Sequence, residues 1–255
     1  MGMRGRAALE LQRLASFGLL LLFGPIVVAL CRWRWGYRAV DLQGVRKRFA
    51  EIRSKHPGPM ILCTNHLTLI DSIVQGYILM SLPRYMTQVS ALAWNLPERK
   101  NFNQTLAWRI TCYLGRCIPV TRGGTLAQRN LAQDRMRYVL NRGDMISIFP
   151  EGTRSRSGRV DPEYFSYGSG QLLRLVPEAT VVCVYLRGTQ AGGFANYPQR
   201  GERFHVDLKV VTPTSESRGL RLARDYSRQI IAGLVELETQ YFASTEHGQN
   251  HEASG

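Results

Sequence analysis

The sequence predicts an α/β domain, a layered mixed sheet flanked by helices, with an N-terminal membrane-associated helical segment. Short apolar runs at Met60–Cys63, Met145–Phe149 and Thr180–Leu186 alternate with longer stretches at helical spacing, and strands alternating with helices build layers. A chain of 255 residues, 44% hydrophobic and 20% charged, buries one substantial core and is not globally disordered. From Ala15 to Cys31 no residue is charged, which sets that stretch apart from the rest.

Leu9 to Leu14 forms an amphipathic helical lead, with Arg6, Glu10 and Arg13 on its polar side. The uncharged stretch behind it, at about 1.5 Å per residue, reaches about 26 Å and falls short of a ~30 Å hydrocarbon core. Gly24-Pro25 interrupts it and favours a kinked or shallowly inserted helix. A cleaved leader is the competing reading, but no A-x-A site follows. Leucine also stands where a lipoprotein site ahead of Cys31 needs a small residue. Arg32-Trp33-Arg34-Trp35 suits a membrane–water interface. Arg4, Arg6 and Arg13 precede the segment, against Arg32, Arg34, Arg38, Arg46, Lys47 and Arg48 after it, which places the main domain on the cytoplasmic side. Residues 1–38 thus read as the membrane segment, 39–243 as the domain and 244–255 as a polar, disordered tail.

Val40–Lys55 is a charge-dense helix, punctuated by Pro57-Gly58-Pro59 before the first buried strand. Ile70–Leu82 returns to helical spacing, and Trp94–Phe102 reads as an irregular polar loop. Thr105–Leu114 is a helix ending at Gly115, followed by a short strand at Cys117–Val120. Thr125–Asn141 is the clearest amphipathic helix, with Leu126, Leu131, Met136, Val139 and Leu140 on its apolar side and Gly143 just past its end. Ser169–Leu175 is a helix, Phe204–Val211 an alternating strand and Leu220–Phe242 a long terminal helix.

The net charge of +14 fits nucleic acid, an anionic membrane surface or phosphorylated substrates as partners. No nucleic-acid motif or aromatic-rich basic platform accompanies it, which disfavours the first. The five cysteines (Cys31, Cys63, Cys112, Cys117, Cys183) form no C-x-x-C pair and lie in or beside apolar runs, as packing residues of a reducing compartment do.

The chemistry concentrates in two motifs. Asn65-His66-Leu67-Thr68-Leu69-Ile70-Asp71 follows the first buried strand. On one continuous helix His66 and Asp71 would diverge by ~140°. With His66 on the turn and Asp71 in the first helical turn, the carboxylate can hold one ring nitrogen and leave the other as a base. A surface histidine beside a capping aspartate has the same letters. Phe149-Pro150-Glu151-Gly152-Thr153-Arg154-Ser155 follows another buried strand: Pro150 stops it, Gly152 permits close backbone approach, Thr153 and Ser155 offer hydroxyls, and Arg154 can grip a phosphate bidentately. Arg156 and Arg159 extend that positive field; a solvated basic turn is the plain alternative. Arg122, delivered by Gly115–Thr121, is a third candidate.

In this order the motifs resemble the membrane-bound glycerolipid acyltransferase family, which includes the 1-acylglycerol-3-phosphate acyltransferases. His66 and Asp71 match its H-x4-D block with Asn65 ahead of it. Gly115, Ile118 and Arg122 match the second block, and Phe149–Ser155 matches the third. The resemblance covers roughly residues 60–188. It implies His66 as general base and Asp71 as its orienter. It also implies a substrate-binding set of Asn65, Thr68, Arg122, Glu151, Gly152, Thr153 and Arg154. The acyl donor would be a coenzyme A or acyl carrier protein thioester, with no bound cofactor and no metal. The acceptor would be a membrane lysophospholipid, 1-acylglycerol-3-phosphate first. The departures are Thr68 for a serine, no lysine around Ala91–Trp94 or within Phe165–Gly168, and no proline in Val181–Tyr185. These keep open an acceptor that is a non-phosphate lyso-lipid or other lipid alcohol. A non-catalytic lipid-binding or nucleic-acid-binding protein is the alternative from another class.

Overall fold

A computed structural model describes residues 1–102, 105–190 and 195–252. Among these, one six-stranded sheet runs in the order β1-β6-β5-β2-β4-β3. Its strands are β1 (Arg38–Ala39), β2 (Met60–Thr64), β3 (Trp94–Asn95), β4 (Met145–Ile148), β5 (Thr180–Gly188) and β6 (Arg203–Val211). All neighbours pair in parallel except β5 and β6, which are antiparallel. The mixed, layered sheet expected from the sequence is therefore the observed one.

β2 and β5 sit at the centre and are buried on both faces, as parallel strands covered by helices require. Alternate side chains then divide two cores. Ile61, Cys63, Ile146, Val181 and Cys183 face one, under α7 (Leu126–Asn141), α8 (Gly168–Leu175) and α9 (Gly219–Glu252). Met60, Leu62, Met145, Val182 and Val184 face the other, under α2 (Leu42–Lys55) and α3 (Asp71–Leu79). Full burial of each such side chain contributes about 1.5–3 kcal/mol. α8 lies so close to α9 that a Cβ on Gly170 would stand 1.9 Å from the Ala223 carbonyl oxygen.

Several elements differ from expectation. The stretch read at helical spacing over Ile70–Leu82 is helical only through Leu79, and a further helix the sequence reading did not include, α4 (Leu82–Thr87), opens with Pro83 in its first turn. Trp94–Phe102 is not wholly loop: Trp94 and Asn95 form edge strand β3, and Arg99–Phe102 a short helix α5. The fully buried Trp94 indole donates to Asp144 Oδ2 at 3.0 Å, which draws this segment into the sheet. Cys117–Val120 makes only two single bridges, Asn95↔Cys117 and Glu98↔Val120, rather than a strand. It follows α6 (Leu106–Leu114) through Arg116, which takes φ +52 so that its buried guanidinium reaches the Val89 and Leu92 carbonyls. On α7 the core residues are Ala132, Met136, Val139 and Leu140, while Leu126 and Leu131 are exposed. α9 continues through Glu252 where the sequence predicts a disordered tail; residues 253–255 lie outside the described residues.

The N-terminal helix α1 (Met3–Ala29) runs through Pro25 without a break and ends in a π-turn at Leu30–Arg34. It is long and apolar enough to cross a membrane. Its first half, however, is keyed into the domain. Gln12 is buried and donates to the Tyr113 and Cys117 carbonyls at 2.9 and 3.1 Å. Arg13 lies 3.3 Å from the fully buried Asp144, and Glu10 accepts from Tyr138 at 2.7 Å. The second half exposes Leu21, Leu22, Phe23, Ile26 and Val27, and the π-turn after it Leu30 and Trp33.

Candidate active site

The register of β2 and β4 builds the site. Cys63 pairs with Ile148, so His66 and Glu151 leave the sheet at the same offset, beyond the carboxyl ends of adjacent parallel strands. Crevices at that edge are where open α/β sheets bind ligands. Asn65 continues the ladder on the other side: its side chain donates to the Leu186 carbonyl at 2.9 Å and accepts from the Leu186 amide at 2.7 Å. It is 2% exposed and is committed to β5.

Asp71 is the first residue of α3, and the loop before it wraps around the carboxylate. Oδ2 accepts from His66 Nδ1 at 2.9 Å, from the Leu67 amide at 2.7 Å and from the Thr68 amide at 2.8 Å. Oδ1 accepts from the Thr68 hydroxyl. A carboxylate only accepts, so its ring contact places the imidazole proton on Nδ1 and leaves the Nε2 lone pair open. No hydrogen bond to Nε2 is made among the described residues, and 20% of the histidine side chain is accessible. Phe149 stacks on the ring with centroids 3.9 Å apart and planes 13° from parallel. The arrangement expected for the first motif, histidine on the turn and aspartate in the first helical turn, is what forms.

The Phe149–Ser155 turn holds the backbone of His66 from both sides. Glu151 Oε1 accepts from the His66 amide at 2.8 Å, and the Ser155 amide donates to the His66 carbonyl at 2.8 Å. Burial of the Glu151 carboxyl pushes its pKa up to about 7, against the lowering effect of the His66 amide. Gly152 closes the turn at φ +74, where a Cβ would stand 3.1 Å from Ser166 Cβ. Its carbonyl accepts from Arg122, which also pairs with Glu98 at 3.2 Å. The second block is thereby tied to the third. Thr153 is exposed. Arg154 donates to Asn196 Oδ1 at 2.9 Å and to the Ala195 carbonyl at 3.4 Å, and the Asn196 carbonyl in turn accepts from the Leu69 amide at 3.0 Å.

The structure thus gathers His66, Asp71, Thr68, Glu151, Gly152, Arg122 and Arg154 at one sheet edge. The Asn65 side chain and the Thr68 hydroxyl serve this architecture, since their partners are Leu186 and Asp71. Sequence reading placed Phe149 in the second motif without a role and assigned none to Glu98 or Asn196. An aromatic one residue beyond a buried strand is a signal for Phe149. Asn196 has none, because only the antiparallel return of β6 onto β5 brings its loop to the site.

A family model described as Acyltransferase matches residues 45–187, the stretch from α2 to the end of β5. N-acylphosphatidylethanolamine synthase of Arabidopsis thaliana is 28% identical over 164 residues, covering 63% of the present chain and 53% of its own. The chain therefore spans about half the length of that relative.

Proposed function

The chain belongs to the acyltransferase family, and from that premise we propose that it moves a fatty acyl group from a coenzyme A or acyl carrier protein thioester to a lysophospholipid hydroxyl. The acceptor of first choice is 1-acylglycerol-3-phosphate, giving phosphatidate. The observation that carries the reading is the His66–Asp71 contact with Nε2 left open. Nε2 removes the acceptor's hydroxyl proton as the oxygen attacks the thioester carbonyl. Asp71 stabilises the imidazolium that forms, and the imidazolium returns the proton to the departing thiolate. The arrangement is a serine-hydrolase dyad in which the substrate supplies the hydroxyl. Arg154 and Arg122 hold the acceptor phosphate, with Gly152 and Thr153 shaping the turn beneath it.

The protein works at a membrane, its exposed apolar half-helix in lipid and its domain on the cytoplasmic side, where the +14 net charge draws it to an anionic surface. Purified full-length protein, assayed with acyl-CoA and 1-acylglycerol-3-phosphate in vesicles, tests this directly. Transfer should fall by about 10²–10⁴-fold in His66→Ala, with vesicle binding retained. Near-normal turnover in that variant sinks the assignment.

A second reading changes the acceptor. Arg122 is countered by Glu98 and Arg154 is hydrogen-bonded by Asn196, a weaker welcome for a phosphomonoester dianion than two unpaired guanidiniums would give. The similarity to an N-acylphosphatidylethanolamine synthase points to a lipid whose phosphate is already esterified. Parallel assays with lysophosphatidate and lysophosphatidylethanolamine separate the two readings.

A further inference from the structure

Behind the site lies a second set of buried charges that the transfer chemistry does not use. Glu238 on α9 is 5% exposed. Both of its carboxylate oxygens lie 3.2 Å from the Val160 amide, with the Tyr185 hydroxyl at 3.3 Å and Arg159 Nε at 3.6 Å. Arg187 on β5 is 8% exposed and donates to the Gly158 carbonyl. Phe242, one turn beyond Glu238, lies beneath both guanidiniums, 3.6 Å from Arg159 Cζ and 4.9 Å from Arg187 Cζ. A carboxylate is costly to bury unless donors close on it. The residue 158–160 segment and the Glu238–Phe242 turn of α9 therefore hold each other in place.

The bonds continue to the reacting histidine. The Ser155 hydroxyl donates to the Arg159 carbonyl at 2.6 Å and accepts from the Arg159 amide at 3.1 Å. The Ser155 amide donates to the His66 carbonyl. One unbroken path thus runs from Glu238 through Arg159 and Val160 to Ser155, and from there to His66, with Arg154 adjacent. Arg159 is engaged by Glu238 and Phe242, so it serves this path rather than the acceptor's anion.

We propose that Glu238 is a positioning residue: the clasp it forms with Arg159, Val160 and Tyr185 sets the Arg154–Ser155 turn against the His66 loop. The role rests on the reading of His66 as the base and Arg154 as an acceptor contact. It is tested on the full chain by local hydrogen exchange together with transfer kinetics. Glu238→Leu should speed amide exchange at residues 155–160 and 66–68 by about tenfold or more. It should also raise the acceptor KM about tenfold with a smaller fall in kcat and no change in the donor KM. Glu238→Gln keeps an acceptor for Val160 and should restore both readouts to within about threefold of the parent. Ser155→Ala cuts the path without disturbing a buried charge and should give the same split between KM and kcat if Glu238→Leu fails to fold. Unchanged exchange at residues 155–160 overturns the clasp, and so does faster exchange with parental kinetics. A parent chain that transfers to no lysolipid overturns the reading of His66, and the exchange at residues 66–68 then decides the clasp alone.

Discussion

The His66 loop and the Glu151 turn leave adjacent parallel strands at the same offset, yet they are stabilised in opposite ways. The His66 loop is folded inward: two backbone amides, a hydroxyl and the imidazole all converge on Asp71. The Glu151 turn is folded outward. Its side chains and amides leave it for the neighbouring loop, where Glu151 and Ser155 take the two backbone groups of His66 and Phe149 covers the ring. One loop presents the imidazole while the other fixes where it stands. A turn that looks in sequence like an anion grip is thus also the scaffold of the histidine.

Four substitutions would break or sharpen that contrast. His66→Ala removes the inward loop's open ring nitrogen and should lower kcat by about 10²–10⁴-fold, the usual contribution of a positioned base. Steady-state transfer kinetics decide it, and a smaller loss would move the chemistry elsewhere. Arg154→Ala should raise the acceptor KM by about 10–100-fold, as loss of a charge-assisted contact does, with His66 chemistry intact. An equal fall in kcat would show that the outward turn does more than bind.

Gly152→Ala strains a left-handed position and crowds Ser166. It should cost about 1–2 kcal/mol of stability in denaturant unfolding, and no loss would mean the turn can relax. Glu151→Gln should have the smallest effect, visible only in pH dependence. The buried carboxyl keeps its proton up to about 7, whereas its ordinary value is 4.5. As pH rises between those values the unfolded chain has already released a proton that the folded chain retains. This group therefore weakens the fold progressively over that window and most fully above it. Glu151→Gln, which can still accept from the His66 amide, should flatten that slope when unfolding is compared at pH 5 and pH 8.

The inward loop was legible in the sequence because its logic is local: a histidine just beyond a buried strand and an aspartate where a helix starts. The outward turn was legible as a motif but not as a scaffold. Parallel pairing of β2 with β4 joins residues about eighty positions apart through intervening helices, and no local signal marks such a register. β3 escaped notice because two residues carry no periodicity, and what fixes them is the Trp94 bond to Asp144. On α7, Leu126 and Leu131 fit an apolar stripe by spacing, yet the helix turns Ala132 inward instead. Small residues at a close contact are poorly weighted by hydrophobic pattern. The sequence puts Arg6, Glu10 and Arg13 on the polar side of α1, but no local signal shows that Arg13 meets Asp144 or that the neighbouring Gln12 reaches the Tyr113 carbonyl.

That last feature bears on what α1 would be in a membrane. A tethered enzyme hangs from its anchor by a slack connection and can tilt or recoil freely. Here the first half of α1 shares Asp144 with Trp94 of the edge strand, and residues just beyond that strand bridge to Val120, two positions before Arg122. A bilayer gripping α1 would therefore hold the rim of the site at a fixed height and attitude, so that lipids meet it from one direction only.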